Sequence, residues 1–336
     1  MPQLLLIPTE HLLLVQRRRL LQLATAGELG AVREALKELP VSAADEHGRT
    51  ALHCAAASGH VELLLTLVSA GEQVLLFDVG RGTVQRLWQV GLLPGEVDEV
   101  FLTHYHSDHL ISLPDLWLTS WLPPYGAKSD PLRITGPAGV RALTEGLSAA
   151  FAADIAIRIE DQNLPPAGVA WDVTEFTEDG VVYDENGITV TAFTVNHGEK
   201  IEPAVGYKIT YGGHTVVLSG DTKKEAAVIE AATGADLLVH QVAMAAGAIA
   251  DTPPVVAIMG HHTSPVEAGE VFAAAAPGLA VYSHIVRLGP PTAADISLEA
   301  LIAQTRESYD GPLEVGADLM TITIGDEITV GTADTR

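Results

Sequence analysis

The sequence predicts a layered α/β sandwich over residues 72–336, preceded by a small α-helical segment over residues 1–71. Three observations predict it. From Gln73 onward, apolar runs short enough to be buried strands alternate with helix-forming stretches. Between Val181 and Leu218 strands follow one another with no helix between them, and Asn186-Gly187 stands where a two-residue hairpin turn belongs. Before residue 72 the pattern is helical and repeats: Gly27-Glu28-Leu29 is echoed 32 positions later by Gly59-His60-Val61.

A chain of 336 residues has room for one large domain and a smaller one. Apolar residues make up 47% and charged residues 18%, which supports a sizeable core and argues against extensive disorder. The 43 acidic residues against 19 basic ones give a formal charge of −24. Such a field repels phosphate backbones, and no basic run beyond Arg17-Arg18-Arg19 offsets it, so nucleic acid is disfavoured as a partner. The single cysteine, Cys54, excludes an intrachain disulfide. Residues 1–8 carry no charged leader, and no apolar run approaches a membrane span. The expectation is a cytoplasmic protein with no membrane contact.

In chain order, residues 3–15 read either as a hairpin turning at Thr9-Glu10 or as a helix capped by Thr9. The run from Asp45 through His53 and Gly59 to Leu64 has a turn, a Thr50-capped helix ended by Gly59, and a second helix from Val61 to Val68. It resembles the ankyrin repeat, with a weaker copy upstream. About two repeats are fewer than such a stack needs alone, so the segment is expected to lean on the following domain or on another chain. Residues 17–71 are therefore a candidate surface for a protein partner.

Gln73–Phe77 then reads as a strand, residues 78–83 as a glycine-bearing turn, and Val84–Trp88 as a helix. Arg133–Pro137 is a strand and Val140–Asp154 an alanine-rich helix. Val181–Tyr183, Ile188–Val195, Val205–Tyr211 and Thr215–Leu218 form an antiparallel layer. Ala235–His240 is a strand, Pro265–Ala276 a helix, and Leu279–Ser283 the last strand, ending before His284.

The stretch that organises the chain is Thr103-His104-Tyr105-His106-Ser107-Asp108-His109. It follows a buried-strand pattern at 97–102 and precedes a turn into a helix. Imidazole and carboxylate donors suit zinc and its borderline neighbours, and no cysteine stands nearby for a thiolate site. His104-x-His106-x-Asp108-His109 resembles the signature of the metallo-β-lactamase-fold hydrolases. Its flanks look most like the branch that holds ribonuclease Z and the zinc arylsulfatases and phosphodiesterases. The resemblance implies a four-layer αββα sandwich. It further implies one metal on His104, His106 and His197, a second on Asp108, His109 and His284, and Asp221 bridging them together with a water or hydroxide that acts as nucleophile. Zinc is the default from the ligand set, with manganese or iron compatible.

The same resemblance names Asp108 and His262 as catalytic side chains. His262 stands in Gly260-His261-His262-Thr263-Ser264, and its neighbour His261 is a candidate substrate contact. Asp78 and Gln241 are candidates to orient histidines from behind; Gln241 stands where ribonuclease Z-like sequences usually carry glutamate, which weakens a proton relay. Trp117 and Trp121 are candidates for an apolar wall of the substrate pocket, with core packing as the competing reading. Ribonuclease Z grips transfer-RNA precursors with a basic, glycine-rich arm, and no such arm stands in this sequence. The expected activity is therefore hydrolysis of a small-molecule ester, an aryl sulfate or phosphodiester. Ribonuclease Z-type endonuclease, lactonase or carboxylic esterase are the alternatives, and an interaction protein with a vestigial metal site the non-enzymatic one. The two strands and glycine-rich turn that open the family's fold are not found ahead of Gln73. Either residues 3–15 replace them or a sheet edge is left open, and an open edge makes a homodimer or strand exchange plausible.

Overall fold

Two sheets pack face to face, and helices cover their outer sides. In the computed structural model, residues 73–290 and 292–332 are described. The ankyrin-like segment, residues 3–15 and the proposed partner surface at 17–71 lie outside them. The first sheet is all parallel, in the order β1 (Leu75–Phe77), β2 (Glu99–Phe101), β3 (Leu132–Pro137), β4 (Trp171–Phe176). The second holds β5 (Gly180–Glu185), β6 (Ile188–Thr194), β7 (Val205–Tyr211), β8 (His214–Leu218), β9 (Leu237–Ala245), β10 (Leu279–Leu288) and β11 (Leu313–Val315), which lie side by side in that order. The expected antiparallel layer is real only for β5 to β8; from β8 to β11 the pairing is parallel, because α6 (Ala226–Ala232), α8 (Pro265–Ala275) and α9 (Leu298–Thr305) stand in the three crossovers. A hairpin, β12 (Met320–Ile324) with β13 (Ile328–Thr332), packs Met320, Ile322, Ile324 and Ile328 on Leu237, Leu279 and Val281 of the second sheet.

Alternation of side chains divides the core. Phe101 of β2 and Tyr183, Val190, Val205 and Tyr207 of the second sheet are buried together between the sheets, with Phe77 stacked on Phe101 at 4.8 Å. On the far side of the second sheet, Leu238, Val242 and Tyr282 meet Val271 and Phe272 of α8 and Leu301 of α9 (Leu298–Thr305). This is the expected four-layer sandwich. Among the described residues β1 pairs only with β2, so it is an edge of its sheet.

Several elements differ from the sequence reading, which has no counterpart for β4 or for β11, β12 and β13 after the strand it takes as the last. The alanine-rich helix is two, α4 (Val140–Ala150) and α5 (Ala152–Gln162), because Phe151 leaves helical geometry at φ −103°, ψ 10°. Strand β10 does not stop before His284 but runs on to Leu288 past a bulge. Trp117 and Trp121, on α3 (Leu113–Trp121), are fully buried rather than lining a pocket. Their indole N–H groups donate to the carbonyls of Val169 (3.1 Å) and Pro165 (2.9 Å), and Trp117 stacks on Trp171 at 4.5 Å. Both indoles find burial and a carbonyl acceptor in the Pro165–Val169 turn, which is why core packing wins over the substrate-wall reading.

The two sheets are also clamped by charge. Arg133 of β3 donates both Nη atoms to the Glu185 carboxylate of β5 (2.9 and 2.6 Å). It also stands 2.9 Å from Oε2 of buried Glu99, whose other oxygen accepts from Thr135 Oγ1 at 2.6 Å. Burial raises the Glu99 pKa, opposed by Thr135 and Arg133. Arg133→Ala should therefore cost about 1–3 kcal/mol in urea unfolding, less than a fully buried pair because the guanidinium is a third exposed. Arg133→Lys should recover less than half of that, since an ammonium cannot fork across Glu185. No loss in the alanine variant would mean the clamp contributes nothing.

Candidate metal centre

The site forms where loops leave β2, β6 and β8 and where β10 bulges, at the strand ends that α/β sheets commonly use. The loop after β2 carries His104, His106, Asp108 and His109, the last two on the short helix α2 (Ser107–Leu110). His197 follows β6, and Asp221 follows β8 through Gly220. Gly220 has φ +59°, and a Cβ there would sit 2.5 Å from the Val205 carbonyl, so only glycine lets the loop turn Asp221 inward. His284 is the extra residue of the bulge, with φ +44° between Ser283, opposite Gln241, and Ile285, opposite Val242. A regular strand would alternate; the bulge re-aims this one imidazole.

All seven predicted ligands converge. His104 Nε2 lies 3.0 Å from His106 Nδ1, which is 3.2 Å from His197 Nε2. On the other side His284 Nε2 lies 3.3 Å from Asp108 Oδ2, with His109 Nε2 at 3.9 Å from the same oxygen. Asp221 Oδ2 stands between the two groups, 3.4 Å from His284, 3.5 Å from His109 and 3.6 Å from His197. Donor atoms within each of the triads His104–His106–His197 and Asp108–His109–His284 lie within 4.8 Å of one another.

The residues behind the ligands fix which ring nitrogen faces inward. Asp78, itself at φ +59°, accepts from the Thr103 amide and Oγ1 (both 2.8 Å) and from His109 Nδ1 (2.7 Å). Thr103 Oγ1, having donated to Asp78, accepts from His104 Nδ1 at 2.9 Å. His197 Nδ1 donates to the His261 carbonyl at 2.9 Å. Each of these contacts turns an Nε2 atom toward the centre. The Nε2 atoms of His104, His109 and His197 then face the Asp108 and Asp221 carboxylates, and the buried His109 Nε2 has no hydrogen-bond partner, a ligand-rich arrangement that a cation would satisfy. Protons and a cation compete for these nitrogens. Burial opposes charge on His109, yet hydrogen bonds to Asp221 and Asp78 outweigh it and push its pKa up to about 10. Burial and the neighbouring His109 hold His104 down at about 3. Burial would raise the Asp221 pKa, but the surrounding imidazoles, His109 first, keep it well below the ordinary range. The donor set fits divalent metal ions.

His262 borders the same site, its ring 5.0 Å from that of His197. Its Nδ1 donates to Gln241 Oε1 at 2.8 Å, and Gln241 Nε2 donates to the Thr222 carbonyl at 2.5 Å, which fixes the amide's orientation. Burial lowers the His262 pKa to about 4. The His261 ring packs against Gly198, where a Cβ would meet it at 2.8 Å, and its carbonyl rather than its ring holds His197. Two supports escape the sequence reading. Thr103 could have been found, since it abuts His104; the Thr222 carbonyl, which also accepts from Thr263 Oγ1 (2.9 Å), has no residue signature.

A family model described as a beta-lactamase superfamily domain matches residues 74–285, and one for ankyrin repeats matches residues 20–68. Ribonuclease Z of Mycobacterium marinum is 34% identical over 264 residues, 77% of this chain and 91% of its own. Ribonuclease Z of Mycobacterium bovis is 35% identical over the same shares. Among solved structures, the metallo-β-lactamase fold protein YhfI of Bacillus subtilis superposes with a TM-score of 0.55 at 21% identity, covering 78% of this chain and 89% of its own. The short form of human tRNase Z gives 0.52 at 19%, covering 75% and 88%.

These relatives correct the expectation of a small-molecule ester substrate with nucleic acid disfavoured, because proteins named ribonuclease Z align over nine-tenths of their length. The physical fault lay in using the whole-chain charge of −24, a far-field quantity that salt screens within about 8 Å, to judge a local phosphate site. No described helix is long and apolar enough to cross a membrane. With these histidine- and aspartate-bearing loops on its sandwich, the chain belongs to the metallo-β-lactamase-fold superfamily as a metal-dependent hydrolase of ester bonds, and ribonuclease Z proteins are among its homologues.

Proposed function

We propose that this chain is a ribonuclease Z-type endonuclease that hydrolyses a phosphodiester bond near the 3′ end of transfer-RNA precursors, using two divalent metal ions. The observation that carries the reading is the placement of His262 beside the paired triads, in a chain aligned with ribonuclease Z along nearly the whole of that protein. Five imidazoles and two carboxylates make zinc the first choice, with manganese or iron compatible. Such a pair of ions supplies Lewis-acid chemistry, activating water near neutral pH and neutralising charge on the phosphate.

The protein's own groups do the rest. Asp221 holds the two triads in register, and Asp78 and Thr103 stop the rings of His109 and His104 from rotating. His106 and Asp108 are exposed and form the mouth of the site, where substrate arrives. Gln241 Oε1 accepts a hydrogen bond from His262 Nδ1–H, so Nε2 is the nitrogen left to exchange a proton with the departing ribose oxygen. His262 and Asp108 are thus the side chains assigned to act on the reacting atoms, and His261 remains assigned to substrate at the rim.

The decisive assay offers precursor tRNA, bis-p-nitrophenyl phosphate and p-nitrophenyl sulfate to the enzyme with Zn²⁺ or Mn²⁺. Cleavage of the precursor at a single 3′ position is expected; turnover of the sulfate ester with none of the RNA would overturn the reading. Asp221→Ala should lose bound metal and activity together, measured by elemental analysis and turnover. His262→Ala should keep its metal while kcat on precursor tRNA falls about 10²–10⁴-fold, and much less on the phenolate-releasing diester. Equal slowing of both substrates would sink the proton-transfer role. Asp78→Ala should weaken metal affinity about 10–100-fold in chelator competition, with its unfolding midpoint in chelator little changed.

A further inference from the structure

A cavity of about 480 Å³ opens beside the metal centre, within the size range of ligand sites (about 300–1,000 Å³). Its lining includes Asp108, His109 and His284 together with Arg81 and Arg86. The Arg86 guanidinium is committed, to Asp318 and, at 2.6 Å, to Gln89. Arg81 is exposed and has no hydrogen bond or ion pair among the described residues. The backbone that carries it is anchored. The turn that carries it is tied to the metal loop by Val79 N donating to the His109 carbonyl (2.7 Å) and by Ser112 N donating to the Val79 carbonyl (3.0 Å). Gly82 N adds a bond to Ser112 Oγ at 3.2 Å. Gly80 is pressed so close that a Cβ would stand 2.6 Å from the Asp108 carbonyl.

Resting on the ribonuclease reading, we propose that Arg81 binds the phosphate of a nucleotide adjacent to the scissile one, and that this cavity receives that nucleotide. A chain of charge −24 draws no polyanion from a distance, so RNA affinity must come from cations that carboxylates have not already neutralised. Arg81 is such a cation, on an anchored turn, sharing a cavity with the metal ligands. Its planar fork matches two phosphate oxygens, a geometry a lysine cannot reproduce.

The test compares wild type with Arg81→Ala and Arg81→Lys on precursor tRNA and on bis-p-nitrophenyl phosphate, which has no neighbouring phosphate. Arg81→Ala should raise KM for the RNA about tenfold and leave kcat within about twofold. Kinetics on the small diester should not change, and Arg81→Lys should recover part of the loss. With a non-cleavable RNA, the slope of log affinity against log salt should shrink by about 0.7 in the alanine variant. A methylphosphonate at one of the two linkages flanking the scissile bond should erase the difference between wild type and Arg81→Ala. An unchanged KM for RNA, an equal loss on both substrates, or a difference that survives methylphosphonate at both linkages overturns the assignment. Failure of the wild type to cleave precursor tRNA while it still turns over the small diester would instead overturn the ribonuclease reading beneath it.

Discussion

The structure depends on a carboxylate buried among imidazoles. Asp221 is 3% exposed, and its Oδ2 faces three histidines at 3.4 to 3.6 Å, one from the loop after β2, one from the loop after β6 and one from β10. Taking a carboxylate out of water is costly unless opposite charge or hydrogen bonds compensate it. Asp78 and the His261 carbonyl hold the Nδ1 atoms of His109 and His197, so both rings turn Nε2 toward that carboxylate. His109 is the ring that carries the balancing proton, its pKa pushed up to about 10 by Asp221 and Asp78. A divalent ion at this point would take over the part of that proton, which is why the cluster suits a cation.

Two of the seven non-glycine residues at positive φ among the described residues stand at the same point. Asp78 and His284 both sit in the left-handed region, where a side chain costs on the order of 1–2 kcal/mol, and Gly220 sits there without that cost. Each cost has a visible return. Asp78 in that conformation presents its carboxylate to Thr103 and His109 together, and His284 leaves the strand register to meet Asp108 and Asp221. Tyr207, reaching from the second sheet to the Leu102 carbonyl at 2.6 Å, and Val205 N, bonded to the Thr103 carbonyl at 3.0 Å, hold the metal loop against the opposite sheet. The inter-sheet core and the site are thus one mechanical unit, in which sandwich packing holds the strained residues in place.

That these seven side chains gather was legible in the sequence because each has its own chemistry and stands where a strand pattern gives way to a polar loop. What supports them was legible only in part. Asp78 and Gln241 could be named, but the carbonyls of His261 and Thr222 belong to the backbone and leave no mark on residue type. The strand pattern predicted that β6 to β9 exist, while the bulge at His284 was invisible, since a residue that re-aims its side chain looks like any other strand end. Trp117 and Trp121 were misjudged for a related reason. An indole needs a body of apolar contact and one acceptor, and both a pocket wall and a core provide them; only the Pro165 and Val169 carbonyls decide between the two.

Gln241 shows how the scaffold limits the chemistry. Its amide bridges two sites of opposite demand: the Thr222 carbonyl requires a donor, and His262 Nδ1 requires an acceptor. A carboxylate at 241 would satisfy His262 more strongly, but it would set a second oxygen against the Thr222 carbonyl, which already takes the Thr263 hydroxyl as its other partner. Glutamine is the side chain that serves both. The consequence falls on His262: the amide adds no charge to offset the burial that lowers its pKa to about 4, and the opposing charge comes from Asp221 alone. At neutral pH the ring is therefore neutral, with Nδ1 donating to Gln241. The charge of this region is accordingly concentrated not at His262 but at Asp221 and the imidazoles that face it, His109 above all.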